Sequence, residues 1–132
     1  MGRLASSLVL VLPWLALGGF GAAIAQGTPE GASAAEGEKL FKQQCAACHS
    51  LSASDPPRQG PPLAGVYGRK PGSAPGFKYS SGYAKADFGW DEQHLDAYLT
   101  NPQAVIPGSN MLYRQSKPQV RQAIIAYLKE QH

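Results

Sequence analysis

Two cysteines stand three positions apart and a histidine follows at once: Cys45-Ala46-Ala47-Cys48-His49. Thiols at this spacing can add across the two vinyl groups of one haem, and the adjacent imidazole is then held within reach of the iron. The pattern therefore reads as c-type haem attachment. Three other readings compete with it. A CxxC redox pair requires a thioredoxin-like βαβ pattern around it, and none is visible. A zinc site requires further Cys or His at ligand spacing, and only His94 and His132 remain. A plain disulfide across two residues would do little to stabilise a chain of this length.

An iron held by His49 needs a second axial partner or an open site for a small molecule. The chain has 2 methionines, and Met1 lies in a segment expected to be removed. Met111 is the one candidate thioether. A lone Met is more often core filler, but this one follows Ile106-Pro107-Gly108-Ser109-Asn110, a turn able to present a side chain inward. His/Met ligation suits a carrier of relatively high potential.

The elements that must position these groups are helical. From Ala35 the chain places Gly37, Leu40, Phe41 and Cys45 on one face. A second helix begins at Asp91, a good N-cap, gathers Leu95, Tyr98 and Leu99, and ends at Pro102. Asn101 to Val105 offers one further turn. The last helix runs from about Pro118 to Lys129, with Val120, Ile124, Tyr127 and Leu128 on one face. Between Ser50 and Phe88 there is almost no periodicity, and Pro56, Pro57, Pro61, Pro62, Pro71 and Pro75 mark loops. So long a structureless stretch inside a small domain makes sense only if it wraps a large apolar object. The expectation is an all-α fold with long loops.

The chain begins differently. Arg3, an apolar run from Leu4 to Ile24, and Ala23-Ile24-Ala25 form the pattern of a signal peptide cleaved after residue 25. An uncleaved anchor is the alternative, because the run approaches the ~20 residues of a spanning helix. Residues 26–34 read as a loose polar leader and residues 35–132 as one domain. The formal charge is +3 with 16% charged residues and no basic block, so nucleic acid is not an expected partner. With 15 Gly and 11 Pro in 132 residues, a chain this short has trouble building a sufficient apolar core alone.

Taken together, CAACH, GPPLAGVYGRKPGSAPGFKYS, Trp90, Asn101-Pro102 and IPGSNM resemble class I cytochrome c over about residues 35 to 129. The resemblance implies three main helices and long loops around one covalent haem c, with His49 and Met111 as axial ligands of the iron. It implies that the Pro61 carbonyl accepts from the His49 ring, and that Arg69, Tyr79 and Trp90 hydrogen-bond a haem propionate. Tyr98 matches a tyrosine near the Met sulfur, Ser109 a hydroxyl near the propionate, and Gly37, Phe41 and Tyr127 the crossing of first and last helices. Some positions depart from the family. Tyr83 replaces an Asn, Tyr113 replaces a Phe beside the haem edge, and the stretch between Met111 and the last helix is one residue short. Gln44, Gln103, Ala104 and Asn110 stand where lysines ring the haem edge in mitochondrial relatives.

The implied function is that of a monomeric, periplasmic, mono-haem electron carrier between redox-protein partners, and not an enzyme. Two alternatives stand beside it. One is a membrane-tethered subunit of a dehydrogenase or oxidase, which requires the apolar run to stay uncleaved. The other is a weakly peroxidatic or gas-binding haem protein, for which no distal acid–base His or Arg is evident; His94 reads as a half-exposed surface residue.

Overall fold

The computed structural model describes residues 33–52, 54–56 and 58–132. The expected signal peptide (1–25) and most of the expected leader (26–34) lie outside the described residues. Ser33 and Ala34, assigned to that leader, belong instead to the domain. Ser33 is the N-cap of α1 (Ala34–Gln44), and its hydroxyl accepts from the Glu36 N–H at 3.2 Å. The cap lies before the first apolar position of the helix, so a boundary drawn from hydrophobic spacing alone starts late.

Three further helices follow: α2 (Glu92–Thr100), α3 (Pro102–Val105) and α4 (Pro118–Lys129). Asp91 caps α2 by accepting from the His94 N–H at 2.8 Å. Proline opens both α3 and α4, where its missing N–H costs nothing. Among the described residues there is no strand, and the all-helical expectation holds. The loop stretch carries one element that periodicity missed, a 3-10 turn at Ser81–Lys85 with no buried residue. An element so short, with no apolar face, leaves no periodic trace.

The core joins Phe41, Leu95, Leu99, Ile106, Ile124, Ile125 and Leu128 from α1, α2, α4 and the turn after α3. Its tightest point is the crossing of α1 and α4. A Cβ on Gly37 would sit 2.0 Å from the Ala123 carbonyl oxygen, so only glycine lets these backbones meet. Phe41 and Tyr127 pack beside it with ring centroids 5.7 Å apart. Arg121 of α4 is buried, against the usual preference of a charged residue. It meets Asp96 of α2 at 2.7 Å and donates to the carbonyls of Gln115 and Ser116. This pair ties two helices to the segment leaving the functional site.

Candidate functional site

Helices and loops together enclose one large cavity of about 750 Å³, within the ~300–1,000 Å³ usual for cofactor pockets. On one wall, α1 ends where the Cys45 and Ala46 N–H groups both fold back onto the Phe41 carbonyl. The chain then turns tightly, the His49 N–H meeting the Cys45 carbonyl at 2.9 Å. Cys45, Cys48 and His49 thus share one wall. Burial, with a smaller contribution from Cys48, pushes the Cys45 thiol up to about 11. That is the opposite direction from the lowered thiol of a disulfide oxidoreductase, and no βαβ unit surrounds the pair among the described residues.

His49 Nδ1 lies 2.8 Å from the Pro61 carbonyl oxygen. A carbonyl can only accept, so Nδ1 carries the proton and Nε2 keeps its lone pair. Burial lowers the histidine's proton affinity more than this bond restores it, which favours the neutral ring a metal requires. Gly60 makes room for it: a Cβ there would fall 2.3 Å from the His49 ring.

Met111 lines the same cavity, from a different segment of the chain. Its approach is set by Ile106-Pro107-Gly108-Ser109, where Gly108 has φ +83° and the Ser109 N–H meets the Ile106 carbonyl at 2.9 Å. Pro followed by a positive-φ Gly under such a bond is the signature of a type II turn. Gln103 of α3 braces it, accepting from the Gly108 N–H and donating to the Ser109 carbonyl. Behind Met111 three hydroxyls meet: Tyr98 lies 2.5 Å from Tyr83 and 2.8 Å from Ser109, and Ser109 accepts from the Met111 N–H at 3.3 Å.

Of the ten residues singled out from the sequence, nine line this cavity: Cys45, Cys48, His49, Pro61, Arg69, Tyr79, Trp90, Tyr98 and Met111. Ser109 is not on the wall but buried behind it, in the hydroxyl cluster. Arg69 is braced within its own loop, donating to the Ala64 and Pro62 carbonyls at 2.8 and 2.9 Å. The Tyr79 hydroxyl accepts from the Ala74 N–H at 3.3 Å. Reading the sequence passed over Arg58, Lys78 and Ser80, which also line the cavity. Lys78 comes from the loop immediately before Tyr79. The Ser80 hydroxyl oxygen is buried without a hydrogen-bond partner. A serine in a loop carries no sequence signal for that.

The donor set fits a haem. Arg58, Arg69 and Lys78 line the cavity and, among the described residues, no carboxylate does, which suits two anionic propionates. The orphaned Ser80 hydroxyl awaits an acceptor or donor, and the remaining wall is largely apolar, from Leu63, Val66, Leu95, Leu99, Ile124 and Leu128. Among the described residues there is no cluster of three or more His, Cys, Asp or Glu able to hold a bare metal ion.

An all-helical shell around a cavity with this constellation defines a covalent-haem electron-transfer protein of class I. Comparison with known proteins agrees. The cytochrome c family model matches residues 34–132. Cytochrome c of Theileria annulata is 45% identical over 103 residues, 77% of this chain and 88% of that protein. Cytochrome c of Sesamum indicum is 44% identical over 95 residues, 71% and 86%. Cytochrome c2 of Rhodomicrobium vannielii is 45% identical over 98 residues, 74% and 78%. The chain belongs to the cytochrome c family. It is accordingly a mono-haem electron carrier, with covalent haem c and redox proteins as partners.

Proposed function

We propose that Cys45 and Cys48 attach the haem, that His49 and Met111 fill both axial positions, and that the protein carries electrons in the periplasm. The observation that carries this reading is the convergence of these four residues on one cavity that no carboxylate of the described residues lines. The bound haem supplies a one-electron iron couple. His49 offers its unprotonated Nε2 while Pro61 fixes its tautomer. The hydroxyl cluster holds the backbone of Met111. Arg58, Lys78, Tyr79, Ser80 and Trp90 line the cavity with polar groups that would meet the propionates, and Arg69 braces its own loop. With His49 and Met111 both committed to the iron, no position would be left for a substrate, which separates a carrier from a peroxidatic or gas-binding protein.

The decisive experiment is the spectrum of the reduced protein with and without carbon monoxide. An unchanged spectrum is expected, and a large shift would mean that Met111 does not occupy the sixth position. The periplasmic assignment rests on the Arg3, Leu4–Ile24 and Ala23-Ile24-Ala25 pattern. Amino-terminal sequencing of the exported protein should begin at Gln26. No described helix is long and apolar enough to cross a membrane.

A further inference from the structure

Beyond Met111 the chain is extended and its burial alternates: Met111, Tyr113 and Gln115 are partly buried, Leu112 and Arg114 exposed. This is the two-residue period of an extended strap with one face turned inward. Tyr113 lines the cavity mouth. Its hydroxyl donates to Gln44 Oε1 at 2.5 Å, and Gln44 is the last residue of α1, immediately before Cys45. Gln115 closes a ring, its Nε2 reaching the same Gln44 oxygen at 3.2 Å and the Tyr113 hydroxyl at 3.3 Å.

Gln115 is itself fixed from several directions. Its N–H donates to the Leu99 carbonyl of α2 at 2.8 Å. Its Oε1 accepts from the Lys117 N–H at 3.0 Å, and its carbonyl accepts from the buried Arg121 at 2.9 Å. The strap is therefore anchored to α2 and α4 at Gln115. Through the ring it is tied back to α1 across 71 positions of sequence.

We propose that Gln44, Tyr113 and Gln115 form a latch that keeps the Met111 strap closed over the cavity mouth and so excludes external ligands from the iron. The inference rests on Met111 being the axial ligand, and adds what keeps it in place. An external nitrogen base can bind only when the strap is open, so its apparent dissociation constant is the intrinsic one divided by the open fraction. A neutral hydrogen bond is enough to change that fraction on the order of five-fold. The three residues are positioning residues: they act on the iron only through Met111. A phenylalanine at position 113 would fill the same space without the tie to α1.

The test is an imidazole titration of the ferric holoprotein, following loss of the Met–iron charge-transfer band. Tyr113→Phe should tighten imidazole binding on the order of five-fold, and Gln44→Leu by a similar factor. The double variant should gain little beyond either single one, because both remove the same bond. Arg114→Ala, on the outward face of the strap, should leave the affinity unchanged, with haem content and far-UV spectra constant throughout. Affinities within two-fold of the unmutated protein for both single variants, or fully additive effects in the double, would overturn the latch while the Met–iron band still upheld the ligand. An unmutated ferric protein lacking that band would overturn the ligand reading, and the latch with it.

Discussion

On the His49 side the cavity wall is built by close approach. Gly60 lies where any side chain would strike the imidazole, and a backbone carbonyl at Pro61 fixes the ring. On the Met111 side the wall is built by side-chain polar groups gathered from distant places: Tyr83, Tyr98 and Ser109 behind the methionine, Gln44, Tyr113 and Gln115 beyond it. One wall is intolerant of added volume and the other of lost hydroxyls. The two kinds of construction fail differently, and variants can tell them apart.

The largest effect should come from removing the object that both walls enclose. Cys45→Ala/Cys48→Ala should carry no covalent haem on a denaturing gel. Its apoprotein should be largely unfolded by circular dichroism, because the loops of residues 50–88 have little else to pack on. A cooperative thermal transition in that apoprotein would show that the walls stand without their contents. Next in size is Gly60→Ala, which forces a methyl into the space of the His49 ring. Overpacking of this kind typically costs about 1–3 kcal/mol, read as a lower denaturation midpoint of the ferric holoprotein. The equivalent insult on the other wall, Tyr83→Phe, removes polar contacts without adding volume and should cost only about 1 kcal/mol.

A smaller effect separates the walls by pH. Burial above all, with Tyr83 adding to it and the Ser109 bond opposing, pushes the Tyr98 phenol above its ordinary range. Its folded value then exceeds the unfolded value of about 10, so above that pH the unfolded chain binds fewer protons than the native one. Stability from this source is complete below pH ~10 and declines as pH rises further. Melting temperatures between pH 8 and 11 should fall less for Tyr98→Phe than for the unmutated protein. The least effect concerns association. With Gln44, Gln103, Ala104 and Asn110 in place of lysines, the electron-transfer rate with the natural partner should fall only weakly with ionic strength. A steep fall would move attention to Arg58 and Lys78 at the cavity.

The His49 wall was legible in the sequence because its chemistry is local. Cys45, Cys48 and His49 are contiguous, and Asp91 and the proline-opened α4 announce their helices by short-range rules. The same holds for the turn before Met111. What escaped was long-range pairing among ordinary polar residues. Nothing in the surroundings of Gln44 or Gln115 distinguishes a hydrogen-bonded glutamine from a solvated one. Arg121 reads as an exposed position until Asp96, 25 residues away, is brought against it. Ser109 was placed by resemblance near a propionate, and the fold adds that it joins a hydroxyl cluster with Tyr83 and Tyr98. Tyr83 completes that cluster by reaching both Tyr98 and Ser109 from the 3-10 turn.

The Gly37 crossing has a consequence for how the molecule is made. Helices α1 and α4 are the first and last elements of the described chain, and each is the other's tightest partner. A ribosome that has released α1 has not yet synthesised its counterpart, and the intervening segment must be closed as one long loop before the pair can form. The nascent polypeptide therefore has no early folding nucleus at this crossing. The crossing can form only once the carboxyl end has emerged.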